Sequence, residues 1–236
     1  MIKKFIYRKS VTVALIAMGL CGKGLNAATN APRFDPVQTF RNIRNIIINS
    51  DTGTVKMVPS SDGVTRVYKS GANADTAQVE QTGNTLSITN NRSFWSFGFA
   101  RTANFTVEVG NETTPEASIS LGEGNVDIDA DVKNLKIKAG SVNLCAKNLA
   151  GVANISAGSG VLTLVHSVLK PITYTINAGD AKVTAHLSEA YRAVSNKIDG
   201  ADVDLKESDF PVVRQGAAFN LHGSVGSAEI SIHKID

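Results

Sequence analysis

The sequence predicts an all-β fold, a single-stranded β-solenoid of about 18–21 residues per coil, preceded by an antiparallel strand and hairpin region. Three observations predict it. Glycines recur at Gly122, Gly140, Gly158, Gly179 and Gly200, spaced 18, 18, 21 and 21 residues apart. Each glycine sits inside a phrase of alternating apolar and polar residues, as in SISLGEGNVDID from Ser118 and YTINAGDAKVTAHL from Tyr174. A valine follows each corner, giving the series Val126, Val142, Val161, Val183 and Val203, which is expected to point inward. Stacked coils would bury these columns in one continuous core that no coil could bury alone. The alternative is an antiparallel β-sandwich in which every glycine corner is a hairpin. The regular period favours coils.

Two zones follow from this reading, within one continuous domain. From about residue 34 to 111 the pattern is less regular. Phe40, Ile43, Ile46 and Ile48 open it, and Val55, Met57, Val64 and Val67 continue it. Two alternating runs flank Thr82-Gly83-Asn84, where glycine and asparagine can supply the positive φ of a tight hairpin turn. From about residue 116 to 236 runs the glycine-cornered array. Strand side chains have period two, so Ile119, Leu121, Val126 and Ile128 face one side and Asp127, Asp129 and Asp131 the other. Asn134-Leu135 and Asn148-Leu149 mark a second corner in each coil.

Residues 1–27 have the order of a secretory signal peptide. Lys3, Lys4, Arg8 and Lys9 precede the apolar run VTVALIAMGL, and Ala27 and Ala28 follow as small cleavage-site residues. The run is too short to span a bilayer. Cys21 raises a lipoprotein reading, but Leu20 stands before it, where that processing needs a small residue. The expectation is an exported chain of the periplasm, cell surface or medium, with no transmembrane segment after cleavage. The leader holds five of the 24 basic residues and none of the 21 acidic ones, so its removal leaves a net charge of about −2. The basic pI is a property of the leader, and no lysine or arginine run of a phosphate-tracking kind follows it. Nucleic acid is therefore not an expected partner.

Little in the array points to catalysis. GEGNVDID from Gly122 resembles one calcium-binding β-roll repeat, but that site needs tandem nine-residue units, and Lys138 and Lys182 interrupt the acidic columns. The four histidines are His166, His186, His222 and His233. His166 and His186 are one coil apart and could stack, yet two histidines without a third ligand make a poor zinc site. Cys145 would be the sole cysteine of the processed chain and reads as a buried small hydrophobe without a disulfide partner. No catalytic residue, metal ligand or cofactor is expected. The best enzyme alternative is a small β-helical polysaccharide lyase, for which the short corners leave little loop material.

One segment stands out. In NRSFWSFGFAR, Phe94, Trp95, Phe97 and Phe99 supply four of the chain's fourteen aromatics, including its only tryptophan, between Arg92 and Arg101. Trp95, Phe97 and Phe99 alternate and would share one strand face. That face is either a platform for a sugar, lipid headgroup or protein, or a cap over the exposed end of the solenoid. The position directly before the repeats favours the cap. The six residues Arg92, Phe94, Trp95, Phe97, Phe99 and Arg101 are the candidate binding site.

The front of the chain, TFRNIRNIIINSDTGTVKMVPSSDGVTRV followed by VEQTGNTLSITNN, resembles the opening of the bacterial head-GIN domain and of a related adhesin-named β-repeat family. In those domains a strand pair leads to a hairpin ending in a Leu-x-Ile strand, here Leu86 and Ile88, and then to glycine-cornered repeats. The resemblance covers most of residues 37–236 and implies an exported, non-enzymatic β-solenoid. It implies no catalytic or binding residues. Two functions remain in front of the lyase: an envelope or surface module that binds a protein or glycan, and a periplasmic structural or assembly factor.

Overall fold

The computed structural model of the chain describes residues 38–72, 74–90, 102–188, 191, 193–205 and 218–235. The candidate leader, the aromatic segment Arg92–Arg101 and Cys21 lie outside the described residues.

Among the described residues, twelve strands form one sheet. They are β1 (Gln38–Phe40), β2 (Asn45–Pro59), β3 (Thr65–Ser70), β4 (Gln78–Thr82), β5 (Thr85–Asn90), β6 (Asn104–Val109), β7 (Glu116–Ile128), β8 (Asn134–Lys147), β9 (Gly151–His166), β10 (Ile172–Ser188), β11 (Ala193–Leu205) and β12 (Ala218–Ile235). From β2 through β7, β8, β9 and β10 every pairing is parallel, with β12 and β11 continuing the ladder. The strands run through their glycines instead of turning back at them. This excludes the sandwich and is the solenoid arrangement.

The corner is visible in the burial parity. In β7, Ala117, Ile119 and Leu121 are buried before Gly122, and Val126 and Ile128 after Asn125. An odd-to-even switch within one continuous strand means that the chain bends there, and each arm then buries alternate residues against the same interior. β8 switches in the same way, from Leu135 and Ile137 to Val142, Leu144 and Ala146. The short return between β7 and β8 adds buried Ala130 and Val132.

Stacked like residues fill the interior. Ile88, Ile48, Ile119, Ile137, Ile155 and Ile176 are register partners across six coils, each at most 1% exposed. On the second arm Val55, Val126, Leu144, Leu162, Val183 and Ile230 form another column. The buried residue therefore falls four positions after each corner glycine, which corrects the expected valine series. Val126, Val142 and Val183 are buried, but Val161 is 40% exposed and Leu162 takes the inward position; the Val203 side chain lies outside the described ones. Val142 lies two positions after its glycine, opposite Gly124 and Gly160.

The corner glycines are required by close approach. A Cβ on Gly140 would lie 2.6 Å from the Gly122 carbonyl oxygen, one on Gly158 2.6 Å from that of Gly140, and one on Gly179 2.5 Å from that of Gly158. The next member of this column is Gly226, 2.7 Å from the Gly179 oxygen, not Gly200 as the spacing suggested. The reason is topological: β12 inserts between β10 and β11, so the last two coils stack out of chain order. Gly200 instead lies against the Val225 carbonyl, beside a register shift between Asp199 and Ala201. Gly158→Ala is expected to lower stability by roughly 1–3 kcal/mol, because the offending atom is backbone and the coils must part. Denaturant titration of that variant against the parent measures it.

The start of the chain is also out of order. β2 lies between β7 and a composite coil made of β5 and β6, which pair with its first and second arms. Antiparallel strands finish this end: β4 on β5, and β3 with β1 on β6. This is the expected strand and hairpin region. At the β4–β5 turn only Gly83 has positive φ (58°), so glycine alone carries the special conformation there.

Candidate functional site

The six sequence-predicted binding residues lie outside the described residues. Within the described fold, the β9–β10 connection departs from the repeats before it. The coil that begins with β9 is 21 residues long where the two before it are 18, as the register Asn134, Val152, Thr173 shows against Glu116 and Asn134. The extra residues lie in the β9–β10 connection, Ser167 to Pro171. Insertions of this kind in repeat folds map to loops on one flank, often the binding flank.

This loop is built on two side chains. Asn148, at the second corner of the preceding coil, adopts a left-handed φ of 49° that asparagine tolerates. Its Oδ1 accepts hydrogen bonds from Ser167 N (2.9 Å), Ser167 Oγ (3.1 Å) and Val168 N (3.0 Å). At the other end, Tyr191 Oη accepts from Lys170 N at 3.2 Å, and its hydroxyl proton reaches the Lys170 carbonyl at 2.8 Å. Lys170 also pairs with Asp131 of an earlier coil. Between these anchors the tip projects Val168 and Leu169, 50% and 45% exposed, among the few large apolar side chains left in water.

Beneath the loop lies a buried ring cluster. His166 ends β9, and its Nε2 is 2.9 Å from Tyr174 Oη. Tyr174, Tyr191 and Phe219 surround the imidazole with ring centres 5.7–5.9 Å away, all in edge-on or T-shaped contact. His166 Nδ1 has no hydrogen-bond partner. Burial first, and the charge of Lys170 second, push the His166 pKa down to about 4. Burial raises the Tyr174 and Tyr191 phenols. At neutral pH the cluster is uncharged. It suits a support for contact at the tip, and offers no exposed nucleophile.

The remaining sequence candidates separate clearly. His166 and His186 do not stack: His166 is inward opposite Leu187, while His186 faces outward and pairs with His233. The acidic face is neutralised along the stack, Asp129 by Lys147 at 3.2 Å and Glu229 by Lys182 at 3.0 Å. Among the described residues no group of three His, Cys, Asp or Glu side chains could hold a metal ion. Cys145 stands in the outward column with Asp127 and Thr163 and is nonetheless 8% exposed. A shallow polar groove follows the glycine corners, edged by Asn49, Asp51, Ser120, Lys138 and Ser156.

Sequence reasoning passed over Val168, Leu169, Asn148 and Tyr191 as a unit. The signal was present in the lengthening from 18 to 21 residues between Gly158 and Gly179, with an exposed Val-Leu pair just ahead of a proline.

The sequence profile of the Toastrack DUF4097 family matches residues 43–233. Among solved structures, the chain is similar to a candidate cell adhesion protein of Clostridium sporogenes, at 12% identity and a TM-score of 0.42, over 82% of this chain and 93% of that one. A candidate adhesin of Bacteroides fragilis aligns at 14% identity and a TM-score of 0.39, over 82% and 95%. A candidate lipid-binding protein of Parabacteroides distasonis aligns at 12% identity and a TM-score of 0.35, over 84% and 96%. No curated protein sequence matches the chain.

Proposed function

The chain belongs to the Toastrack DUF4097 family, and we propose that it is an exported, non-enzymatic interaction module of the cell envelope. The observation that carries this reading is the Val168–Leu169 tip: two aliphatic side chains held out in water by a loop fixed at both ends. Exposed apolar groups on a rigid loop are suited to burial against a partner, a protein or a glycan, because little ordering entropy remains to be lost on binding. The long polar columns on either side would form the rim of such a contact. The leader-like residues 1–27 support export. The likeness of the opening strands to a head-GIN domain belongs to the same proposal, in keeping with the β4–β5 hairpin and its Leu86 and Ile88.

Beads coated with the chain should adhere to intact cells or to members of a glycan panel. Val168→Ser with Leu169→Ser should weaken that adhesion about ten-fold or more, the effect of withdrawing ~1.5 kcal/mol of apolar burial, with the melting temperature unchanged. A membrane-impermeant label should reach the chain on intact cells. Labelling only after envelope disruption, without adhesion, would favour the periplasmic structural factor instead. Turnover of a polysaccharide, lost on carboxylate substitution, would replace both with an enzyme.

A further inference from the structure

On the outward face of the second arm, His186 of β10 and His233 of β12 are direct register partners. Their ring centres are 5.7 Å apart and their planes 33° from parallel. Forty-seven residues separate them in sequence, and it is the insertion of β12 beside β10 that brings them together. Thr184 and Ser231 precede them on the same face, followed back along the strands by the Lys182–Glu229 ion pair. Val165 of β9 flanks His186 on the other side. His186 is half-buried and His233 exposed, so both rings are open to solvent on at least one edge.

We propose that His186 and His233 form a two-imidazole site for Cu(II), whose tetragonal coordination takes two nitrogens with water in the remaining positions, where zinc would need a third protein ligand. With metal–nitrogen bonds of about 2.0–2.1 Å, two imidazoles at adjacent positions of one ion have ring centres about 4.5–5 Å apart. The observed 5.7 Å is about 1 Å longer, a difference that the side-chain torsions would have to close on binding. Burial, and then the neighbouring His233, hold the His186 pKa below its ordinary value. Imidazole ligates metal as the neutral base. Imidazole selects Cu and Zn over Mg or Ca. Among the described residues no third His, Cys, Asp or Glu joins the pair.

The test uses the untagged full chain and the metal salts alone. Titration calorimetry should give one Cu(II) per chain, weaker Zn(II) and no Mg(II). His186→Asn and His233→Asn should each weaken Cu(II) by roughly ten-fold or more, while His222→Asn leaves it unchanged. The Cu(II) paramagnetic resonance spectrum of the parent should show coupling to two imidazole nitrogens, a readout that does not depend on any variant folding. A spectrum without two coupled nitrogens would overturn the site. So would affinity that survives the His186→Asn/His233→Asn double substitution.

Discussion

Val142→Asp is expected to unfold most of the chain under conditions where Val161→Asp is nearly silent. The two valines occupy successive coils and look equivalent in sequence, each following a corner glycine. Val142 is 1% exposed and faces the interior between Gly124 and Gly160, its Cγ1 close to where a Gly160 side chain would begin. An aspartate there would be a buried carboxylate with glycine backbone above and below it and no partner charge. The cost is roughly 4 kcal/mol, a large share of a typical stability of about 5–15 kcal/mol. For a domain of this size it lowers the melting temperature by about 10 °C. Val161 is 40% exposed and sits between Asn143 and Lys182, so an aspartate would meet water and a lysine, with a change within about 0.5 kcal/mol. Thermal melts of the two variants decide the register. Equal losses would mean that the second-arm columns are misplaced by one residue.

That pair also marks what was legible in the sequence. Corner glycines are readable because a carbonyl oxygen within 2.7 Å of a would-be Cβ admits nothing else, coil after coil. The alternating columns are readable because the strand period is two. The register within the second arm was less so. Through the corner the inward parity switches, and both Val142 and Leu144 become buried, so a valine can satisfy either inward position. The order of the last coils was not readable at all. Gly200 follows Gly179 at the preceding interval of 21 residues, yet the coil beside β10 is β12, and Gly226 completes the column. A spacing counts residues along the chain and cannot see one coil step past another. The same swap hid the His186–His233 pair, which no periodic reading joins.

The candidate tip was legible in part. A three-residue lengthening of one coil can be counted, but its anchors cannot. Tyr191 lies 21 residues beyond Lys170 and reaches back to it from the far side of β10. Asn148 reads as a corner residue, and the sequence does not say that its carbonyl oxygen turns outward to hold the next loop.

Stability is expected to fall as the pH drops from about 6.5 to about 4, and the ring cluster under the tip is the main cause. His166 has a folded pKa of about 4 because burial disfavours the imidazolium. In the unfolded chain the ordinary value of about 6.5 returns. Between those values the unfolded state binds the extra proton, so stability rises with pH across the window and is lost as pH falls through it. The separation corresponds to about 3 kcal/mol. The half-buried His186 is shifted in the same direction and adds to the trend, whereas Asp62, held low by Arg66, acts only below the ordinary carboxylate range. The groups facing His166 are the Tyr174, Tyr191 and Phe219 rings and the nearby Lys170, and none offers an anion to hold an imidazolium. Replacing the hydrogen-bonded pair together, His166→Leu with Tyr174→Phe, removes donor and acceptor at once and should change stability little at pH 7.5. Denaturant midpoints of that variant should then decline clearly less from pH 6.5 to 4 than those of the parent, keeping only the contribution of His186. A parent profile already flat over this range would mean that His166 keeps an ordinary pKa, and that water reaches the ring beneath the Val168–Leu169 loop.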